Sequence, residues 1–277
     1  MWLRDVDLVV PLWQGGDNVR TGQGAAALAR LVPSSGGRRL HVSVSDGTQT
    51  TVDGVRNLEV LADTLRQLRE RVAHKNPTRT LTLGGDCLSD LAATEHLAAH
   101  HEGLVVYWVD AHGDLNTPAS SPSGRAHGMG LRLLLGEGHP RLTGPGPAPP
   151  PSRVTLVGTR ELDPGEEAYL SSTGMVRVSP AELTAAPEGV VSPHPARSPA
   201  YVHLDLDVCD PDELPAVSCP TPAGPSVATV AGALRAIADH HELVGVGVCE
   251  YVPVIEHDPH TVATLLEALG LTTNQEG

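Results

Sequence analysis

The chain has no phenylalanine and a single lysine, Lys75, among its 277 residues. Alanine, glycine, proline and arginine are abundant instead, a bias that reads as the signature of a GC-rich genome and says nothing about mechanism. Cysteine is scarce: Cys87, Cys209, Cys219 and Cys249 stand alone, without CxxC spacing. Disulfides are therefore not expected, the more so because no export signal is seen. Residues 1–10 interrupt their apolar stretch with charges and offer no small-residue cleavage site. No apolar run approaches the ~20 residues of a membrane span, and the expected location is the cytoplasm. Positive charge is also short, with 19 Lys and Arg against 33 Asp and Glu, a formal net charge of −14. Such a field repels phosphate and argues against nucleic acid or an anionic membrane as partner. It would suit a cationic small substrate, although it serves solubility equally well.

What is present fits a soluble globular protein, with 40% hydrophobic and 19% charged residues. The length suffices for one large α/β domain, expected to span 1–277. Short apolar runs at 7–12, 39–44, 79–83, 104–109, 153–157, 175–178, 200–206 and 243–248 read as strands. Helical periodicity appears at 55–73, 87–99, 127–135, 226–240 and 260–271. This alternation predicts a three-layer α/β/α fold around a mostly parallel sheet of roughly eight strands. The strands at 104–109 and 243–248 are apolar on both faces, as central parallel strands should be. The proline-rich stretches 144–152 and 187–199 read as surface loops, and no internal repeat is seen.

In such folds ligands gather outside the carboxyl ends of the strands, and four segments there carry candidate chemistry. VDAHGDLN, residues 109–116, follows an apolar strand and sets Asp110, His112 and Asp114 at every second position. In extended chain that spacing puts two carboxylates and an imidazole on one face, a donor set for Mn2+ or Zn2+. A polar turn at a strand end would look similar. HLDLDVCDP adds Asp205 and Asp207 at the same spacing, with Asp210 beyond. Two acidic pairs at two strand ends repel strongly unless cations neutralise them, and four carboxylates balance two dications. LGGDCLSD, residues 83–90, places a Gly-Gly turn before an expected helix capped by Asp86. Cys87 would then sit at that helix N-terminus, where a thiolate is favoured. Lastly, Glu250 in CEYVPVIEHDP follows a central strand and could pair with a guanidinium, or could be a surface glutamate.

DAHGDLN, SGRAHGM, DLDVCDP and the glutamate-bearing strand end, in this order, resemble the ureohydrolase (arginase–agmatinase) family. Within it, the spacing of Asn116, Ser123 and His127 is similar to arginase rather than agmatinase, as is TRELDPGEE at 159–167. The resemblance implies an amidinohydrolase using two Mn2+ per chain. It assigns Cys87, Asp110, His112, Asp114, Asp205 and Asp207 to the metals, with Asp110 and Asp205 bridging, and His127 to proton transfer. Asp114 would help relay a proton, Glu250 would hold the guanidinium, Asn116 and Ser123 the α-carboxylate, and Asp163 with Glu166 the α-amino group. Oligomers are implied as well, family members forming trimers or hexamers.

The chain departs from the family pattern at Cys87, where a histidine is usual, and at Ser218-Cys219-Pro220, where Gly-Thr-Pro is usual. A thiolate in place of imidazole raises the anionic ligands from four to five and weakens the Lewis acidity of the metal pair. A less basic guanidine then becomes the better substrate. This agrees with a similarity to the branch that hydrolyses Nω-hydroxy-L-arginine to hydroxyurea and L-ornithine in D-cycloserine biosynthesis. Ordinary arginase or guanidino-acid hydrolysis is the alternative. A catalytically dead metal-binding homologue is disfavoured by retention of His127 and Glu250.

Overall fold

The computed structural model describes residues 2–34, 38–45, 47 and 50–272. In chain order the strands and helices are β1 (Val6–Val10), α1 (Val19–Leu31), β2 (Arg38–His41), β3 (Thr51–Val52), β4 (Val55–Arg56), α2 (Leu58–Lys75), β5 (Thr80–Gly84), α3 (Leu91–His100), β6 (Val105–Val109), α4 (Gly130–Leu134), β7 (Val154–Val157), α5 (Pro164–Thr173), β8 (Val176–Val178), α6 (Pro180–Ala185), β9 (Pro199–Asp205), α7 (Val227–His240), β10 (Glu242–Cys249) and α8 (Pro259–Ala268). Eight strands form one sheet in the order β2-β1-β5-β10-β9-β6-β7-β8. Every pairing within it is parallel. The expected eight-stranded sheet is therefore present, and more uniformly parallel than its sequence pattern required.

Parallel connections place helices on both faces, and the burial pattern follows. One apolar layer gathers Ala27 and Leu28 of α1, Leu183 of α6, Leu234 and Ile237 of α7, and Leu265 and Leu266 of α8. The opposite layer gathers Leu61, Leu65 and Leu68 of α2, Leu97 of α3 and Leu133 of α4. Each fully buried leucine is worth ~1.5–3 kcal/mol relative to exposure. The four central strands β5, β10, β9 and β6 are adjacent in the sheet and almost wholly buried. Their carboxyl ends open onto one common rim.

Several local expectations change. Val55 and Arg56 belong to a two-stranded hairpin with Thr51–Val52, and the helix begins at Leu58. Helix α1 lay outside the expected set because Gly22 and Gly24 dilute its apolar signal. Gly24 is required, since a Cβ there would approach the Tyr251 carbonyl oxygen to 2.1 Å. Helix α5 begins inside the TRELDPGEE segment: Pro164 starts it, and Asp163 and Glu166 form a capping box. The loop at 187–199 opens with a 3-10 turn over Pro187–Val191.

Candidate functional site

All four candidate segments end on the common rim. Asp110 follows β6, Asp205 ends β9, Glu250 follows β10, and Cys87 lies just past the Gly84-Gly85 turn after β5. One cavity of about 140 Å3 is lined by Cys87, His112, Asp114, Asn116, Ser123, His127, Asp163, Glu166, Asp205, Asp207 and Glu250. Asp110 lies fully buried beside it. The structure thus brings together every site residue expected from the sequence.

The carboxylates are held by backbone amides. Asp110 Oδ1 accepts the His112 N–H at 2.6 Å and Asp205 Oδ1 the Asp207 N–H at 2.8 Å. Asp207 Oδ1 accepts the Ala111 N–H at 3.2 Å, tying the two acidic segments together. His112 Nδ1 stands 3.0 Å from Asp207 Oδ2 and 3.4 Å from Asp110 Oδ1. The run 110–114 is not extended throughout, because Asp114 turns into the left-handed region with φ 51°. Glu250 does the same at φ 60°. Such conformations are costly for residues with a Cβ and concentrate where a side chain must be aimed. Asp210, by contrast, accepts the Asp212 N–H and stays in its own turn.

Burial and mutual repulsion dominate the electrostatics. Asp114 and Asp205 are pushed well above the ordinary carboxylate range by burial, reinforced by Asp110 and Asp207 respectively. Burial, with Asp110 next, pushes Asp207 up to about 6. Burial and the nearby Glu250 carry Asp86 up to about 7. Burial opposes the charged form of His127, yet its hydrogen bond to Glu250, Nδ1 to Oε1 at 3.1 Å, prevails and raises its pKa. Among the described residues, the buried carboxylate oxygens Asp114 Oδ2 and Glu250 Oε2 find no hydrogen-bond partner. Orphaned buried acceptors among repelling carboxylates are what cations would satisfy. Donor atoms of Asp110, His112 and Asp207 lie within 4.8 Å of one another, as do those of Cys87, Asp110, Asp114 and His203. The residues present therefore fit divalent metal.

The Cys87 expectation needs correction in two respects. Helix α3 starts at Leu91 with Asp90 at its N-cap, leaving Cys87 in the preceding turn. Asp86 does not cap that helix; its carboxylate accepts from Leu88 N at 3.1 Å and Gly15 N at 2.8 Å. Nor is the thiolate favoured in the metal-free chain, since burial pushes the Cys87 thiol up and Asp114 and Asp205 add repulsion. The thiol donates to Asp205 Oδ2 at 3.2 Å.

At the outer end of the cavity, Asn116 Nδ2 donates to Asp163 Oδ2 at 2.8 Å, and Ser123 Oγ accepts the Arg125 N–H at 3.2 Å. Glu166 is more committed: its two oxygens accept the N–H groups of Leu115 and Asp163, each at 2.8 Å. Two residues were missed. Arg160, part-buried, donates to the carbonyls of Val208, Asp207 and Thr221, clamping the Asp207 turn. His203 is fully buried two residues before Asp205, with Asp90 bound to its ring. The i, i+2, i+4 series His203–Asp205–Asp207 was the available signal.

The model of the Arginase family matches residues 14–271. The chain belongs to the arginase family. A Bacillus caldovelox arginase is 32% identical over 227 residues, 78% of this chain and 76% of that protein. The crystal structure of a Bacillus caldovelox arginase superposes with a TM-score of 0.83 at 26% identity, covering 99% of this chain and 100% of that one. A proclavaminate amidino hydrolase from Streptomyces clavuligerus shares the fold, with a TM-score of 0.65 at 22% identity over 96% and 88% of the two chains. This arginase-family chain is a hydrolase of amidino C–N bonds, and its family is binuclear and metal-dependent. Among the described residues no helix is long and apolar enough to cross a membrane.

Proposed function

We propose that this arginase-family enzyme hydrolyses the guanidine of an arginine-type amino acid, with Nω-hydroxy-L-arginine as the preferred substrate. The products would be hydroxyurea and L-ornithine, in the setting of D-cycloserine biosynthesis. One observation carries the substrate preference: a buried cysteine stands at the inner end of the carboxylate cluster where the family has an imidazole. A ligand set richer in negative charge suits a guanidine that is itself less basic.

Asp110, His112, Asp114, Asp205 and Asp207, with Cys87, would hold two divalent cations, the imidazole and oxygen donors of Asp110, His112 and Asp207 suiting manganese. When bound, the pair would supply Lewis acidity and lower the pKa of a bound water toward neutrality. Glu250, buried and bearing one unpartnered oxygen, receives the guanidinium and orients its carbon. His127 is hydrogen-bonded to Glu250 before substrate arrives. Once the guanidinium occupies Glu250, His127 is freed with its proton to protonate the leaving amine. Asp114, unpartnered at Oδ2, can relay the proton from water. Asn116 and Ser123 read the α-carboxylate, and Asp163 the α-amino group, with Glu166 fixing the turn that presents it. Binding at this remote end aligns the reacting carbon.

The test is a manganese-reconstituted assay on arginine, Nω-hydroxyarginine, agmatine and guanidinobutyrate, with urea and amine products identified. Hydroxyurea release with the highest kcat/KM supports the reading. Its relatives by sequence are arginases, and a higher kcat/KM on plain arginine would assign the chain to that activity instead. Turnover of agmatine at comparable efficiency would remove the roles given to Asn116 and Ser123.

A further inference from the structure

We propose that His203 is a metal ligand, and that its Nε2, the sulfurs of Cys87 and Cys249, and the carboxylates of Asp110 and Asp114 form a position selecting zinc-class ions over Mn2+. This rests on the binuclear reading above and specifies its inner half.

The imidazole is set up as a ligand would be. His203 pairs in register with Trp108 on β6 and with Gly247 on β10. Trp108 stacks on the ring at 3.6 Å between centroids, with 8° between planes, and fixes its tilt. On the other side Gly247 leaves a gap that the Asp90 carboxylate fills; a Cβ at 247 would lie 1.9 Å from Asp90 Oδ2. That same oxygen is 2.9 Å from His203 Nδ1 and accepts the Tyr201 hydroxyl at 3.0 Å. With the Nδ1 proton donated to Asp90, the Nε2 lone pair faces the Cys249 thiol, and a carboxylate–imidazole pair of this kind orients and strengthens metal-binding histidines.

The atoms around that lone pair are donors. Nε2 stands 3.6 Å from Cys249 Sγ. Donor atoms of Cys87, His203 and Cys249 lie within 4.8 Å of one another, and those of Cys87, Asp110, Asp114 and His203 do likewise. Asp114 is 3% exposed and its Oδ2 has no hydrogen-bond partner among the described residues. The two groups share Cys87 and His203, and this sulfur–imidazole pair, joined by a second sulfur in one and by two carboxylates in the other, is borderline-soft and favours Zn2+ or Co2+. The His112–Asp207 side, all imidazole and oxygen, favours a harder ion. The imidazole missing at position 87 is thus supplied from β9, two strands away from β5 in the sheet. The competing account is a purely structural pair, with His203 and Asp90 bound as an ion pair in the core and Cys249 packed against them.

The experiment uses the full chain, stripped with chelator and kept reduced, titrated with Co2+, Zn2+ and Mn2+. The readouts are metal content, competition between Zn2+ and Mn2+, and the near-ultraviolet thiolate-to-cobalt charge-transfer band. The parent should show that band and exchange one of two Mn2+ for Zn2+. His203→Asn should weaken Zn2+ and Co2+ at that position at least ~10-fold, and Asp90→Asn by ~10- to 100-fold, with the second ion retained. Cys249→Ala, a smaller change to the core, should diminish the cobalt band. Parent-like band and zinc affinity in both His203→Asn and Cys249→Ala overturn the proposal, as does Mn2+ outcompeting Zn2+ at both positions. Failure of the binuclear reading looks different: the parent then binds fewer than two ions or, fully loaded, leaves every guanidine intact.

Discussion

The metal-free carboxylate cluster should be a measurable liability at neutral pH, and Asp207 isolates it. Its pKa stands at about 6 against an ordinary 3.8, because burial and the adjacent Asp110 disfavour its charge. A shift of that size, at ~1.36 kcal/mol per unit, amounts to about 3 kcal/mol. The sign follows from the direction. The unfolded chain loses this proton near pH 4 while the folded chain holds it to about 6, so the contribution is intact below pH 4 and lost as pH rises through 6. Asp207→Asn removes the charge but weakens the contacts to Ala111 N and His112, at ~0.5–1.5 kcal/mol net each. At most about 2 kcal/mol of gain remains, or up to ~8 °C in Tm for a chain of this size. Thermal melts of chelator-stripped parent and variant from pH 4.5 to 8 would measure it. The variant should be the more stable above pH 6.5, with the advantage shrinking toward pH 4.5. Saturating Mn2+ should reverse the order at pH 7.5, because the ion needs the ionised ligand. A stability difference equal at pH 4.5 and 7.5, or a less stable metal-free variant at 7.5, would refute the reasoning.

Other outcomes follow from single residues. His127→Ala should keep both ions and lose ~10²- to 10⁴-fold in kcat, seen by metal analysis alongside initial rates; loss of metal would show that His127 is a ligand. Cys87→His should tighten manganese binding and raise the ratio of arginine to Nω-hydroxyarginine turnover, and an unchanged ratio would detach the substrate preference from the thiol. Gly247→Ala should cost about 1–3 kcal/mol in denaturant unfolding, because its Cβ meets Asp90 at 1.9 Å, and a neutral change would mean Asp90 is free to move.

The sheet was legible because strands buried on both faces read as continuous apolar runs; 104–109 and 243–248 gave themselves away in this manner. The acidic pairs were equally plain, since like charges two residues apart after such runs have few structural uses. Helix α1 was hidden by glycines whose purpose is a close approach to Tyr251, a long-range contact that periodicity cannot express. Helix α5 was hidden by chemistry, its capping pair Asp163 and Glu166 having been taken only as substrate contacts. Cys87 was misplaced by four residues of helix start, and its protonation followed from burial that only the assembled rim creates. His203 was overlooked because a histidine inside an apolar strand draws attention only once Trp108, Gly247 and Asp90 are seen around it.

The rim also has a kinetic consequence. Cys87 meets Asp205 across 118 residues of chain and Glu250 across 163. No short segment carries both halves of the site, so an ion has nothing complete to grip until β5, β6, β9 and β10 are all paired. Parallel pairings over such separations form slowly. Bound metal should therefore leave the refolding rate almost unchanged and act on the reverse rate, lengthening the lifetime of the native chain.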